Sequence, residues 1–435
     1  MTESDNSGNS DSNRDDNPVE ISRRRLLGTV GAAGATGLVI GAAGGVGISS
    51  AVSGDDTAGG SGAGGPQALT SVGATEVMFH GKHQAGITEP LQSRGHLIAF
   101  DLAPGAGRKE AMALLRRWSA TAKVLMAGKA PAEDTGIALD AGPSSLTVTF
   151  GFGRTFFDRT GLTSRRPDQL DPLPAFSSDA LDPRRSEGDL WVQIGADDAL
   201  VAFHALRAVQ KDAGDAARVR WQMNGFNRSA GATAKPMTAR NLMGQVDGTG
   251  NPKPTEPDFD RRIFVPAGAT GAQDWMAGGS YAVVRRIRML LDDWEKLPLD
   301  GQEKVIGRRK SDGAPLTGGR ETTELDLNKF GPDGKLVIPD NAHSRISAPE
   351  QNGGAAMLRR PFSFHDGIGP DGTPDAGLLF ICWQADPFRG FVPVQRKLDR
   401  GDALSAFIRH ESSGLFAVPG GPAEGEYVGQ RLLEA

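Results

Sequence analysis

Cysteine is almost missing from this chain of 435 residues: Cys382 stands alone. One thiol cannot build a disulfide framework, a zinc knuckle or an iron–sulfur cluster. An excess of basic charge is missing too. Lys and Arg number 48 against 53 Asp and Glu, a net charge of −5, which argues against a dedicated nucleic-acid binder. No Gly-Lys-Ser/Thr follows the glycine-rich segment around Gly244–Gly250, and its glycine spacing is not dinucleotide-like, so it is no phosphate loop. What is present is apolar material, 38% of the chain, which is enough for a real core and argues against wholesale disorder. At roughly 150 residues per domain the length predicts two or three domains.

The N-terminal region reads as an address. Residues 1–21 are polar and acidic. Ser22-Arg23-Arg24-Arg25-Leu26-Leu27-Gly28 follows, and no charge occurs from Leu26 to Gly54. Twin arginines before a weakly apolar run resemble a Tat export signal, here residues 1–53. Ser50-Ala51-Val52-Ser53 suits a peptidase. The alternative is a membrane anchor, because the run is long enough to span a bilayer, although its glycine content makes it a poor membrane helix. Residues 54–67 read as a flexible linker. The expectation is export by the Tat translocon to the periplasm, the cell envelope or the exterior. Tat carries folded proteins, often with a cofactor loaded. The single cysteine agrees, since stability outside the cell would not depend on oxidation.

Two similar halves follow. In residues 68–230, strands are predicted at His96–Leu102, Leu146–Phe150, Leu190–Ile194 and Val219–Met223. A helix is predicted over Arg108–Thr121. A second opens at Asp198, with Leu200, Phe203, Leu206 and Val209 as its stripe. In residues 231–435, strands are predicted at Ser280–Met289, Leu378–Trp383 and Leu415–Val418, with helix around Trp294–Val305 and largely over Phe391–His410. The split βαβ pattern twice over predicts an α+β fold of two ferredoxin-like units with antiparallel sheets, of the dimeric α+β barrel type. The long segment 307–354 is an insert of the length that often carries function.

Few residues stand out chemically. His204 lies on a helix, where packing explains it. His80 and His83, three apart, could chelate a metal, but that spacing is weak evidence. His343 lies in the polar loop Pro339-Asp340-Asn341-Ala342-His343-Ser344-Arg345; a lone loop histidine is usually just solvated. Asn241 to Pro252 is the most informative segment. Gly244, Gly248 and Gly250 let the backbone approach something flat. Asp247 sits among them, and taken alone an ordinary Asp-Gly turn is the favoured account of it. Arg359 and Arg360 stand at the mouth of an apolar strand, where alternation turns one of them inward unless both lie on the surface.

Together these pieces resemble the dye-decolorising (DyP-type) haem peroxidases, in particular the Tat-exported branch that includes the deferrochelatase/peroxidases. The likeness runs from about Glu76 to Gly421. Its hallmark is Gly-x-x-Asp-Gly, present as Gly244 to Gly248. It is joined by His83-Gln84-Ala85-Gly86-Ile87, Val283 to Met289, Gly377 to Gln384 and Phe391 to Leu398. The resemblance implies one haem b per chain, bound in residues 231–435 with His343 as the iron ligand. It implies Asp247 and Arg359 as the distal pair, Arg359 because the family's distal arginine is the first of the two. It further implies Arg345 as a propionate partner. Gly248, Thr249, Gly250, Ala348, Pro349 and Glu350 would line the porphyrin, Leu378 and Phe380 would cover its distal face, and Asp402 would hold the ligand imidazole.

The implied partners are hydrogen peroxide and an organic electron donor such as a dye or phenol, with a homo-oligomer possible and no nucleic acid. A carboxylate over the iron can move the peroxide proton, first as base and then as acid, so an acidic optimum is expected. An arginine beside it stabilises the charge that develops as the O–O bond breaks. Trp275, Tyr281, Trp294 and Trp383 are candidate electron carriers for bulky donors. The competing readings are a haem-handling protein (a deferrochelatase releasing iron) and a cofactor-free exported binding module.

Overall fold

Apolar runs of strand length become strands wherever both faces can be buried. The computed structural model describes residues 71–233 and 238–434. The export-signal region and the whole of the linker lie outside the described residues. Among those described, the first half contributes β1 (Arg94–Leu102), β2 (Thr147–Gly153), β3 (Leu190–Ala196) and β4 (Ala217–Phe226). The second contributes β5 (Ser280–Met289), β6 (Leu358–Arg359), β7 (Phe362–Ile368), β8 (Pro374–Gln384) and β9 (Ile408–Val418).

All pairings between these strands are antiparallel. The first half runs β4-β1-β3-β2 and the second β9-β5-β8-β7. Each is the fourth–first–third–second order of a split βαβ unit, as the sequence predicts. The two units share one sheet. Phe152 and Gly153 of β2 pair with Ala417 and Phe416 of β9, and Phe226 of β4 pairs with Ser363 of β7. Because β5 pairs with both β8 and β9, the sheet closes on itself as a barrel. The described residues form one compact unit.

Alternation sends side chains to two sides of the barrel wall. Leu97, Trp191, Met223, Phe362, Ile381, Trp383 and Phe416 belong to one buried cluster inside. Ile98, Phe100, Val192 and Ile194 face outward and pack with the helices Arg108–Met126 and Ala199–Ala213. Both faces are covered, which explains the unbroken apolar runs of the first half. No helix among the described residues is long and apolar enough to cross a membrane.

Several expectations need correction. Asp198 does cap its helix, accepting from the Leu200 and Val201 amides. The buried face, however, is Val201, Ala202, Ala205, Leu206 and Val209, while Leu200 and Phe203 are 60% and 44% exposed. The helix lies rotated from the stripe its apolar residues suggest. The helix expected around Trp294–Val305 is two, Leu291–Glu295 and Leu299–Ile306, because Pro298 cannot continue the first and caps the second. The helix from Phe391 ends at Gly401, and His410 belongs to β9, which begins at Ile408 rather than Leu415. Polar residues hid this strand. Glu411 pairs with the buried Arg286, which also meets Asp366 and Asp375 at 3.0 and 2.7 Å.

His410 shows the cost of burying such residues. Its Nδ1 is buried without a partner among the described residues. Burial, assisted by the Arg285 cation and opposed by Asp399, pushes its pKa down to about 3. The native ring is therefore neutral where the unfolded one is charged. Stability should fall as pH drops from about 6.5 towards 3, by up to about 1.4 kcal/mol per pH unit from this group. His410→Phe should flatten that part of the profile in denaturant unfolding measured between pH 7 and 4; an unchanged slope would remove His410 as its source.

Candidate active site

His343 begins the one-turn helix His343–Ile346. Its Nδ1 donates to Asp402 Oδ2 at 2.6 Å. Asp402 is held in turn: it ends the helix Phe391–Gly401, and its Oδ1 accepts from the Leu404 amide at 2.9 Å, capping the next turn. The Asp402 side chain is 2% exposed, whereas that of His343 keeps 30% of its surface open. His343 Nε2 has no partner among the described residues. Burial pushes the imidazole pKa down, but the Asp402 carboxylate, through its charge and hydrogen bond, outweighs burial and the net shift is upward. The charges of Arg359 and Asp247 also act on this ring, Arg359 lowering and Asp247 raising its pKa, so the three share one electrostatic neighbourhood.

Asp247 follows a tight turn. Asn241 Oδ1 accepts from the Met243 and Gln245 amides, while its Nδ2 donates to Asp247 Oδ2 at 3.3 Å. Gly244 supplies the positive φ, +78°, that this turn requires. The other Asp247 oxygen accepts from Arg359 Nη1 at 2.6 Å. Arg359 sits on β6, opposite Cys382 of β8. Asn251 clamps its backbone from the other side: Asn251 Nδ2 donates to the Arg359 carbonyl at 2.8 Å, and the Arg359 amide donates to Asn251 Oδ1 at 3.1 Å. A cavity of about 310 Å³ reaches Arg359 past Gly248, Thr249, Lys253 and Glu321. Its size suits a small ligand.

The other expected residues fall at varied places. Thr249 donates its hydroxyl to Glu321, and Gly250 is exposed. Arg345 spends Nε and Nη2 on the Leu327, Ile338 and Pro339 carbonyls, pinning the insert to the His343 turn. Its Nη1 has no partner among the described residues. Ala348 is buried, while Pro349 and Glu350 are exposed. Leu378 and Phe380 share the outer face of β8 and pack with Met243, Ile287 and Trp294.

Arg360 turns away from Arg359 into the loop of Glu89, Pro90 and Gln92, so neither arginine is a plain surface residue. His80 and His83 bond separately to the Pro422 and Gly278 carbonyls, and no group of three or more metal-ligand side chains forms among the described residues. His204 is buried against Asp134, a packing role as expected. Trp294, Tyr281 and Trp275 bond to Met243, Gln169 and Arg165, and Trp383 lies inside the barrel beside Trp191. Asn241, Asn251 and Glu321 were not anticipated. The two asparagines flanking the glycine-rich segment were the available signal, because Asn in such a segment commonly bonds to backbone.

The donor set fits a haem. A single imidazole, oriented by a carboxylate behind it and open at Nε2, is an axial-ligand arrangement. An acid–guanidinium couple shares its electrostatic neighbourhood, and apolar Leu378 and Phe380 lie on the adjoining strand. Fold and site thus define a haem-binding α+β barrel. Family models for the N- and C-terminal parts of Dyp-type peroxidases match residues 84–227 and 238–423. A dye-decolorizing peroxidase of Thermobifida fusca is 44% identical over 425 residues, covering 95% of this chain and 97% of its own. A deferrochelatase of Yersinia pestis is 36% identical over 374 residues, 82% of this chain and 85% of its own. Among solved structures, ferric DtpA from Streptomyces lividans is 75% identical with a TM-score of 0.83, covering 85% of this chain and 100% of its own. A DyP-type peroxidase from Streptomyces coelicolor has the same identity and coverage and a TM-score of 0.82. The chain belongs to the DyP-type peroxidase family. It is a haem-dependent peroxidase.

The Asn251 clamp is testable. Asn251→Ala leaves two half-buried backbone groups of Arg359 without partners and should cost about 1–3 kcal/mol in denaturant unfolding. A variant as stable as the parent would show that the clamp holds nothing.

Proposed function

We propose that this enzyme reduces hydrogen peroxide at one haem b per chain ligated by His343, with Asp247 and Arg359 as the distal catalytic couple. The electrons would come from organic donors such as dyes or phenols. The observation that carries this reading is the 2.6 Å pair between Arg359 Nη1 and Asp247 Oδ1, close enough to His343 for both charges to act on its ring. When bound, haem supplies the ferric iron at which the O–O bond is split. Asp247 takes a proton from the incoming peroxide and returns it to the departing oxygen. Arg359 stabilises the negative charge that develops as the bond opens. Asp402 keeps Nδ1 protonated and the ring oriented, so that Nε2 presents its lone pair and the imidazole donates more strongly.

Gly248 to Gly250, Ala348 to Glu350, Leu378 and Phe380 are read as walls of the porphyrin slot, and the free Nη1 of Arg345 as its propionate contact. The name of the Thermobifida relative supports dyes as donors. Release of iron from haem is the second reading, favoured by relatives named deferrochelatase. Export through the Tat pathway belongs to the same proposal. It is supported by Arg23-Arg24-Arg25 before an uncharged run and by a single, buried cysteine.

Asp247→Asn should retain haem, seen as an unchanged Soret band, and lose peroxide reduction by ~100–1,000-fold in stopped-flow mixing. Arg359→Leu should lose a similar factor. Dye oxidation undiminished in Asp247→Asn would exclude it as the proton carrier. Metal-free porphyrin fluorescence arising without peroxide consumption would favour the second reading.

A further inference from the structure

The motif His83-Gln84-Ala85-Gly86-Ile87 takes no part in the site above. Gln84 is structural. Its amide reaches the Phe150 and Pro419 carbonyls at 3.0 Å each, and its Oε1 accepts from the Phe150 amide. His83 does something different. Its Nδ1 lies 2.6 Å from the Gly278 carbonyl, which can only accept, so Nδ1 carries the proton and Nε2 a lone pair. The ring stacks on Phe264 with centroids 3.4 Å apart and planes 17° from parallel. Burial holds the imidazole pKa below its usual value, outweighing the Gly278 bond. Of the neighbouring charges, Lys82 lowers it further while Asp260 and Glu89 raise it. Nε2 has no partner among the described residues, yet it is not sealed from solvent as the orphaned Nε2 of His80 is.

This ring lines a cavity of about 600 Å³, which shares no lining residue with the cavity at Arg359. Phe264, Trp275 and Tyr427 give the cavity aromatic walls, and Gly278 and Gly421 bring backbone close. Gly278 is held at φ +74°, and a Cβ there would meet the Lys82 carbonyl at 2.8 Å, so the wall tolerates no side chain. Each cation at the rim already has a carboxylate: Lys82 with Asp260 at 2.8 Å, Arg431 with Glu426 at 3.6 Å and Arg261 with Asp258 at 3.9 Å. The rim therefore makes no strong demand for an anion. What remains is a largely apolar lining with one unsatisfied acceptor, in a volume typical of small-molecule sites.

We propose that this cavity is a second binding site, for a neutral aromatic hydrogen-bond donor of the phenol class, whose hydroxyl donates to His83 Nε2 while its ring lies against the aromatic walls. The inference rests on the peroxidase reading only for the identity of the phenol as an electron donor; binding itself needs neither peroxide nor turnover.

The test uses the haem-loaded enzyme without peroxide and two probes, guaiacol and its methyl ether veratrole, which lacks the hydroxyl. Calorimetry should show guaiacol binding to the parent about tenfold more tightly than veratrole, the weight of one hydrogen bond. The Trp275 indole N–H resonance, assigned by its loss in Trp275→Phe, should shift on guaiacol addition. His83→Phe keeps a ring against Phe264 but removes the acceptor; it should bind guaiacol about tenfold more weakly and no longer distinguish the two probes. Equal affinity of the parent for both probes, no detectable guaiacol binding, an unmoved Trp275 resonance or undiminished binding by a folded His83→Phe would each overturn the proposal. Should His83→Phe fail to fold, the probe comparison and the Trp275 resonance decide alone. None of these failures touches the peroxidase assignment or the distal roles proposed for Asp247 and Arg359, which Asp247→Asn tests separately.

Discussion

The ion pair of Arg359 with Asp247 is the constraint around which the second half is arranged. In the roles proposed for them, a carboxylate that passes a proton and a guanidinium that meets developing charge have to be neighbours before substrate arrives. Partial burial strengthens their attraction but makes either one costly alone, so both need rigid supports. Arg359 receives two: the register of β6 on β8 and the Asn251 clamp. Asp247 receives the Asn241 turn and the bond of its own amide to Ala239. Pro361 sharpens the arrangement. It has no N–H to continue the ladder, so the strand breaks after Arg360, whose amide still reaches Ile381 at 2.8 Å.

That break lets adjacent arginines do unrelated work. Arg359 pairs with Asp247. Arg360 is buried, which pulls its pKa down to about 10, and it holds the carbonyls of Glu89 and Pro90 and the Gln92 side chain. It is thus a strut from the second half to the first, close to the seam where β4 and β7 share one residue pair. The barrel gains from such struts, because its two seams are short while its internal pairings are long. Arg285 and Arg286 on β5 play a comparable part, tying Asp179 from the first half and Glu411 of β9 to the central strand.

The order of elements was legible because strand-length apolar runs and one well-placed helix cap recur in both halves. The pairing of Asp247 with Arg359 was legible only through the resemblance: an aspartate in a glycine-rich turn and an arginine at a strand mouth are each ordinary alone. What escaped was set by tertiary partners. The first residues of β9 after Ile408 are Arg409, His410, Glu411 and Ser412, polar residues that read as the end of a helix until Arg286 is seen to need a carboxylate there. Leu200 and Phe203 looked like a core stripe, yet the sheet takes the adjoining face of that helix. Asn251 offered only its place beside the glycines, since its partner lies 108 residues away.

Three histidines show how one side chain is turned to different ends by what its Nδ1 meets. In His343 the partner is a carboxylate, itself fixed by a capping bond, and the charge makes the ring a stronger base with a lone pair suited to a metal. In His83 the partner is a neutral carbonyl, and burial leaves an equally oriented but weaker base, suited to accepting a hydrogen bond and releasing it. In His410 Nδ1 has no partner among the described residues, an arginine lies near, and the ring is held neutral far into acid. Imidazole alone therefore predicts little; charge, orientation and access at the second nitrogen decide whether it ligates, receives a ligand or only burdens stability.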